Sequence, residues 1–280
     1  MNKRVAIQGF SGAFHEVASR HYFENEEIDI ICCDTFIELI NNVENKKADV
    51  GIMAIENSVA GSILQNYALL RDSKLSVTGE IYLRIEQNLM VLPGQKIEDI
   101  TEVYSHPMAI LQCRKFFQQY PYIKLIESID TALSARDIYE NKKTGIGAIA
   151  SSLASKMYDL EIIAKGIETN KRNYTRFLVL QNDEKSRLPI GNVNRSSICF
   201  STTHEVGCLS KVLSIFAFYN INLTKIQSMP ILGEEWHYLF YVDLEFDDYV
   251  RYRQALDAIT PLTKKLELLG EYPKGKLIEE

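Results

Sequence analysis

Short apolar runs alternate with longer helix-patterned stretches through the first 180 residues, and this rhythm limits the chain to a few architectures. Val5–Gln8 reads as a strand, and a Gly9–Gly12 turn then opens a helix through Arg20. Ile28–Cys33 and Phe36–Asn42 repeat the strand–helix pair, as do Asp49–Ile55 and a helix from about Ser58 to Leu70. Such alternation predicts an α/β domain on a largely parallel sheet. Ser76–Leu83 and Glu86–Leu92 are extended segments that cross into a second lobe. There Val103–Ser105, Lys124–Ile126 and Ile146–Ala150 alternate with helices over Met108–Gln119, Thr131–Glu140 and Ser151–Tyr158. The last strand of this region is Thr175–Leu180. Two similar half-domains facing across a cleft are a natural site for a small ligand.

The rhythm ends at residues 181–195, a polar stretch with Pro189 and Gly191 that reads as a linker. Beyond it the pattern is βαββαβ, with strands at Ser197–Ser201, Leu223–Ser228, His237–Phe246 and Lys265–Tyr272. Its first helix follows Gly207 and sets Leu209, Val212, Leu213 and Phe216 on one face. The second follows Asp247 and Asp248, with Tyr249, Tyr252, Leu256 and Ile259 facing inward. This order predicts a ferredoxin-like sandwich, a fold shared by many functions.

Charge narrows the partners. Of the chain's 31 Lys+Arg and 37 Asp+Glu, residues 1–180 hold 20 and 23 and residues 181–280 hold 11 and 14, so each part stands at −3. With no basic half, a nucleic-acid partner is disfavoured. No run of 18 apolar residues exists for a membrane span, and the N-terminal apolar stretch is too short for a signal-peptide core. The five cysteines include no C-x-x-C pair and sit mostly in apolar or helical patterns. That predicts free buried thiols in a reducing compartment, hence a soluble cytoplasmic protein.

Four segments can carry chemistry. Gln8–Glu16 joins a strand to a helix through Gly9 and Gly12, and the free N–H groups of such a helix start favour a carboxylate or phosphate. As a dinucleotide site it lacks the third glycine, and a plain tight turn reads equally well. Glu56-Asn57-Ser58 follows an apolar strand and gathers polar side chains where ligands bind in such sheets; helix capping by Asn57 or Ser58 is the simpler reading. In Ser105-His106-Pro107, Ser105 can cap a helix with Pro107 in its first turn, and Gln112 follows one to two turns in. Thr175-Arg176-Phe177 pairs a hydroxyl with a fixed cation suited to a carboxylate. Metal spacing, a Walker A loop and G-x-S-x-G are all absent from the sequence, which leaves a cofactor-free, metal-free site for a small anion.

Gly9–Glu16, Glu56-Asn57-Ser58 with Gly61, Ser105-His106-Pro107 with Gln112, Asp130-Thr131-Ala132 and Asn173-x-Thr175-Arg176-Phe177 occur in the order and approximate spacing of prephenate dehydratase. The chain resembles that family over about residues 3–273, and the part after the linker resembles its ACT regulatory domain. The resemblance implies a two-lobed catalytic domain at 1–182, similar to periplasmic binding proteins. Lobe 1 would hold about 1–76 and 170–182 and lobe 2 about 77–169, followed by a linker at 183–195 and an ACT domain at 196–273. It implies a lyase that removes water and CO2 from prephenate to give phenylpyruvate. Carried over by motif, Thr175 stands beside the leaving hydroxyl as a polarising donor, fed through water or Arg176, and Glu56 tunes a proton relay or anchors loops. Asn57, Ser58, Ser105, Gln112, Thr131 and Arg176 would hold polar groups of the substrate, and Phe177 would wall the ring.

The ACT resemblance implies a phenylalanine effector site at Gly207, Cys208, Leu209, Ser210, Gln227 and Ser228, and a homodimer or homotetramer. Departures are visible. Met108 stands where the family usually has Gln, Gly207-Cys208-Leu209-Ser210 replaces Gly-Ala-Leu-Val, and Gln227-Ser228-Met229-Pro230 replaces Glu-Ser-Arg-Pro. Arogenate, which differs at the side-chain amine, is the alternative substrate, and a non-catalytic amino-acid sensor is the alternative class. No helical domain precedes Val5, so a fused mutase is not expected.

Overall fold

A computed structural model describes residues 2–182, 193–231 and 233–279. Of the linker expected at 181–195, the first two residues end β11, positions 183–192 lie outside the described residues, and Arg195 opens β12. In chain order the elements are β1 Lys3–Gln8, α1 Phe14–Tyr22, β2 Ile28–Cys33, α2 Phe36–Glu44, β3 Val50–Asn57, β4 Gly61–Ser62, α3 Leu64–Asp72, β5 Leu75–Arg84 and β6 Asn88–Val91. They continue with β7 Glu102–Ser105, α4 Pro107–Phe117, β8 Lys124–Glu127, α5 Thr131–Glu140, β9 Ile146–Ala150, α6 Ser152–Met157, β10 Glu161–Ala164 and β11 Tyr174–Asn182. The last are β12 Arg195–Thr202, α7 Cys208–Phe218, β13 Asn222–Pro230, β14 Tyr238–Glu245, α8 Tyr249–Ile259, β15 Thr263–Tyr272 and β16 Lys276–Ile278.

These elements form two compact units, and the chain passes between them before α3 and inside β5, β11 and β16. One unit holds the residues through Ile63, Ile81–Phe177 and the last few from Leu277; the other holds Leu64–Glu80 and Leu178–Lys276.

The first unit has two sheets. In one, β1 lies between β2 and β3, parallel to both. The other runs β10-β6-β9-β7-β8, with β7 parallel to β8 and β9, and β6 antiparallel to β9 and β10. The parallel expectation thus holds for both strand–helix repeats. The physical reason is visible in β3, whose first six residues are all buried, as a strand covered on both faces requires. One core gathers Leu89, Val103, Ile110, Cys113 and Phe117, and another Ala13, Ala132, Ala135, Ala148 and Ala154. The small residues of the second let α1, α5 and α6 approach closely. A Cβ on Gly12 would stand 2.9 Å from the Ala154 backbone, and Gly12 also has φ +89°.

In the second unit, β12 to β15 pair in the order β13-β14-β12-β15 with all three pairs antiparallel. The βαββαβ order read from the sequence is present. Ile198, Phe200, Val212, Phe216, Tyr252 and Ile259 pack its core, and Tyr252 stacks on Phe246 at 4.0 Å.

Two local expectations are corrected. The helix expected from Ser58 starts at Leu64, because Asn57 Oδ1 accepts the N–H groups of Val59 (2.9 Å) and Ala60 (2.8 Å). That side-chain turn competes with helix formation, and Gly61 (φ +86°) then returns the chain as β4. Ser105 is not a cap. His106 caps α4 by accepting Met108 N–H, while Ser105 is buried and donates to Ile149 O at 2.7 Å.

Candidate functional site

A cavity of about 280 Å3 in the first unit is lined by the ends of β1 and β3, the start of β11 and the starts of α1, α4 and α5. Every lining residue belongs to that unit. Among the sequence-named residues, Asn57, Gln112, Thr131, Thr175 and Phe177 line it. Glu56, Ser58, Ser105 and Arg176 do not. Ser58 instead clamps β11, donating to Arg172 O and accepting from Tyr174 N–H. Thr175 and Phe177 share one face of β11, so Arg176 points to the other, where its guanidinium sits 5.9 Å over the Tyr82 ring.

The polar groups form a directed chain. Because the backbone N–H groups of Val59 and Ala60 bind Asn57 Oδ1, the amide can face only one way. Its Nδ2 donates to Asn173 Oδ1 (2.8 Å) and Thr175 Oγ1 (3.0 Å). Asn173 Nδ2 then donates to Gln112 Oε1 at 3.0 Å. Gln87 Nε2 approaches the same Gln112 oxygen at 3.4 Å. Two backbone N–H groups thereby set the polarity of four side chains. With its oxygen already accepting, the Thr175 hydroxyl has its proton to donate. Gln112 likewise has Nε2 to offer.

Residues to which the sequence assigned no role also line the cavity: Gln87, His15, His106 and Asp130. Burial holds the His15 imidazole down to about 4, and its ring meets Phe177 edge-on at 5.0 Å. His106 accepts Met108 N–H through Nδ1, so its neutral form carries the proton on Nε2. Asp130 caps α5, accepting Leu133 N–H at 2.9 Å. Burial raises the pKa of its carboxyl, and the α5 N–H groups partly offset that. Asp130 Oδ2 lies 3.0 Å from where a Cβ on Gly9 would stand, so the turn glycine makes room for it.

The lining holds no Lys or Arg side chain, so helix starts are the positive ends it can turn towards an anion. Thr35, His106, Asp130 and Ser151 cap α2, α4, α5 and α6 with their side chains, but Ala13 supplies no such cap for α1. An uncapped helix start facing a cavity attracts a carboxylate. Glu16 does not fill that role. Its Oε2 accepts Gly12 N–H at 2.8 Å and its Oε1 pairs with Arg20 at 2.6 Å.

A second cavity, of about 560 Å3, lies in the second unit between the Thr202–Ser210 segment and Trp236–Tyr238 with Phe240. Gly207, Cys208, Leu209 and Ser210 line it, whereas Gln227 and Ser228 do not. Gln227 Nε2 donates to Ser228 O along β13. Gly207 has φ +80° at the start of α7, and His204 and His237 stand 5.8 Å apart.

The cysteines are unpaired, with Cys32 exposed and the other four buried. Among the described residues no helix is long and apolar enough to cross a membrane, and no three His, Cys, Asp or Glu side chains group as metal ligands.

Comparison with known proteins identifies the lineage. The family model described as Prephenate dehydratase matches residues 5–185. A bifunctional chorismate mutase/prephenate dehydratase of Aquifex aeolicus is 34% identical over 278 residues, covering 99% of this chain and 75% of that protein. A chloroplastic arogenate dehydratase 5 of Arabidopsis thaliana is 37% identical over 291 residues, covering 96% and 67%. Among solved structures, GqqA, described as a quorum-quenching acylase, superposes with TM-score 0.88 at 28% identity, covering 97% of this chain and 98% of that one.

Proposed function

The chain belongs to the prephenate dehydratase family, and from that premise we propose that the first-unit cavity converts prephenate to phenylpyruvate, water and CO2. The observation that carries this reading is the directed amide chain, which leaves Thr175 as a hydrogen-bond donor at the cavity. In the reaction the ring carboxylate leaves as CO2 and its bonding pair enters the ring. The ring C–O bond breaks with its pair going to the oxygen, and the departing hydroxide takes a proton drawn from solvent to leave as water. Aromatisation supplies the driving force, so the protein's work is orientation and stabilisation of the departing oxygen. Thr175 polarises that oxygen, and the Asn57 amide, rather than Arg176, sets its direction. The open start of α1 and Gln112 Nε2 hold carboxylate oxygens, Thr131 adds a hydroxyl, and Phe177 with His15 walls the ring.

Acyl transfer, the activity named for GqqA, fits less well. A nucleophilic hydroxyl needs a base beside it, and the Thr175 oxygen is bonded to an amide nitrogen. Arogenate stays in view because the plant relative named for it is 37% identical.

The βαββαβ part of the second unit fits a ferredoxin-like ACT domain at 196–273, and its cavity fits an amino-acid effector such as phenylalanine. Gly207 to Ser210 would supply that site, and Gln227 and Ser228 would join it in a paired assembly, as a homodimer or homotetramer. A cytoplasmic location agrees with the unpaired cysteines. Purified protein mixed with prephenate should form phenylpyruvate, followed by its absorbance in alkali. No product under saturating prephenate would reject the assignment.

A further inference from the structure

Asp130 stands in the cavity wall as a half-buried carboxyl whose two oxygens have different surroundings. Oδ1 caps α5, accepting Leu133 N–H at 2.9 Å. Oδ2 lies beside the Gly9 turn and the start of α1: a Cβ on Gly9 would stand 3.0 Å from it and 3.4 Å from Ala13 Cβ. The second oxygen and the uncapped start of α1 thus share one corner of the cavity. That corner draws an anion, and it already holds an acid. Two carboxylates in one water-poor corner do not both stay ionised, so one proton settles between them.

The neighbouring titratable groups leave that proton to Asp130. Burial holds His15 down to about 4. His106, at the start of α4, accepts Met108 N–H through Nδ1 and gains a second proton only by giving up that bond. Glu16 is engaged by Gly12 N–H and Arg20. Burial keeps Cys32 and Tyr158 protonated. For Asp130 itself, burial raises the carboxyl pKa, against the opposing pull of the Leu133 and Ala132 N–H groups, His106 and Arg136.

A donor in this corner suits one substrate carboxylate and not the other. The ring carboxylate leaves as uncharged CO2, so a hydrogen bond to it would weaken on the way to the transition state and slow the reaction. The side-chain carboxylate keeps its charge throughout.

We propose that Asp130 takes up one proton from solvent as substrate binds, and that its Oδ2–H then donates to the side-chain carboxylate of the substrate. This rests on the cavity being the dehydratase site. The proton returns to solvent when product leaves and is not the one that the departing hydroxide takes. A cavity without Lys or Arg in its lining thereby receives a dianion by neutralising one of its own side chains.

The test uses two readouts on the full chain. Calorimetry of phenylpyruvate, which keeps the side-chain carboxylate, in buffers of different ionisation heat should show about one proton taken up per site near neutral pH. The KM for prephenate should rise from about pH 6 to about pH 8, by up to about tenfold per unit, while kcat changes less than about threefold. Asp130→Asn keeps an oxygen for the cap and sets an N–H where the proton would stand. It should bind without proton uptake, lose the slope, and show a KM at the alkaline end about tenfold below the wild type. Asp130→Ser is also a good cap but too short to reach the ligand; it should lose the slope and raise KM at the acid end about tenfold. His106→Asn should keep the slope, and thermal midpoints check that each variant folds. Prephenate turnover with a flat KM and no proton uptake in the wild type would sink the inference and leave the dehydratase reading standing. A slope that survives in either folded Asp130 variant, or vanishes in His106→Asn, would assign the proton elsewhere and also overturn it. Absence of turnover in the wild type would reject the dehydratase reading, and this inference with it.

Discussion

The two cavities are built in opposite ways. In the first unit the wall is made of side chains from many elements, and their polarity is dictated in series from Asn57 through Asn173 and Gln112 to Gln87. In the second unit most of the wall is one continuous segment, Thr202–Ser210, which carries the exposed Val206, is turned by a glycine and faces the exposed Trp236. The first arrangement fixes where donors and acceptors stand, which bond-breaking chemistry needs. The second offers a loop whose backbone conformation sets its shape, which suits recognition. The difference teaches where each is fragile: isosteric swaps should damage the first cavity, and only backbone changes should damage the second.

Asn57→Asp breaks the comparison at its strongest point. The swap is nearly isosteric, but it sets a carboxylate oxygen against Asn173 Oδ1 and deprives Thr175 of its donor. Activity on prephenate should fall about 100-fold with folding retained, as steady-state kinetics beside circular dichroism will show. Gly12→Ala should cost about 3 kcal/mol of stability, because the strained φ and the 2.9 Å approach to Ala154 act together; denaturant titration measures it.

His15 supplies a pH test of the first cavity. Its folded pKa of about 4 lies below the usual 6.5, so protonation favours the unfolded chain. Stability from this group is full above about pH 6.5 and falls as pH drops towards 4, by about 2–3 kcal/mol. Comparing His15→Phe with the wild type from pH 7 to 4 should show a shallower loss in the variant. Gly207→Ala is the mildest. Nothing lies within 4 Å of the added Cβ, so only φ +80° resists, at about 1 kcal/mol. Phenylalanine binding, read by calorimetry, should weaken with it, while Ser210→Ala should leave binding within about threefold.

Most of the fold was legible because hydrophobic periodicity carries it: the strand–helix repeats and the βαββαβ order stand where the pattern put them. Start points were less legible. Ser58 resembled a helix start, but Asn57 spent its carbonyl on a turn, and no window of periodicity reports that competition. Within the site, Thr175 and Phe177 were readable from their motif. The placing of Arg176 on the opposite face followed from the two-residue period of a strand and was available in the sequence itself. Asn173 stood in that motif, but its role in orienting Asn57 and Gln112 across 116 and 61 residues of chain, like the place of Gln87 beside Gln112, is something no local spacing encodes. His15 lay inside a recognised motif, but nothing in that motif says its ring is held neutral against Phe177.

The central claim is that Thr175 acts as a hydrogen-bond donor to the departing oxygen, and one paired measurement addresses it: single-turnover rates on prephenate for Thr175→Ala and Thr175→Ser, with substrate affinity taken from the same traces. The account predicts that alanine lowers the rate about 10²–10³-fold with affinity within about threefold, and that serine, which keeps the hydroxyl, restores it to within about tenfold of the wild type. An alanine variant that turns prephenate over at the wild-type rate would contradict it.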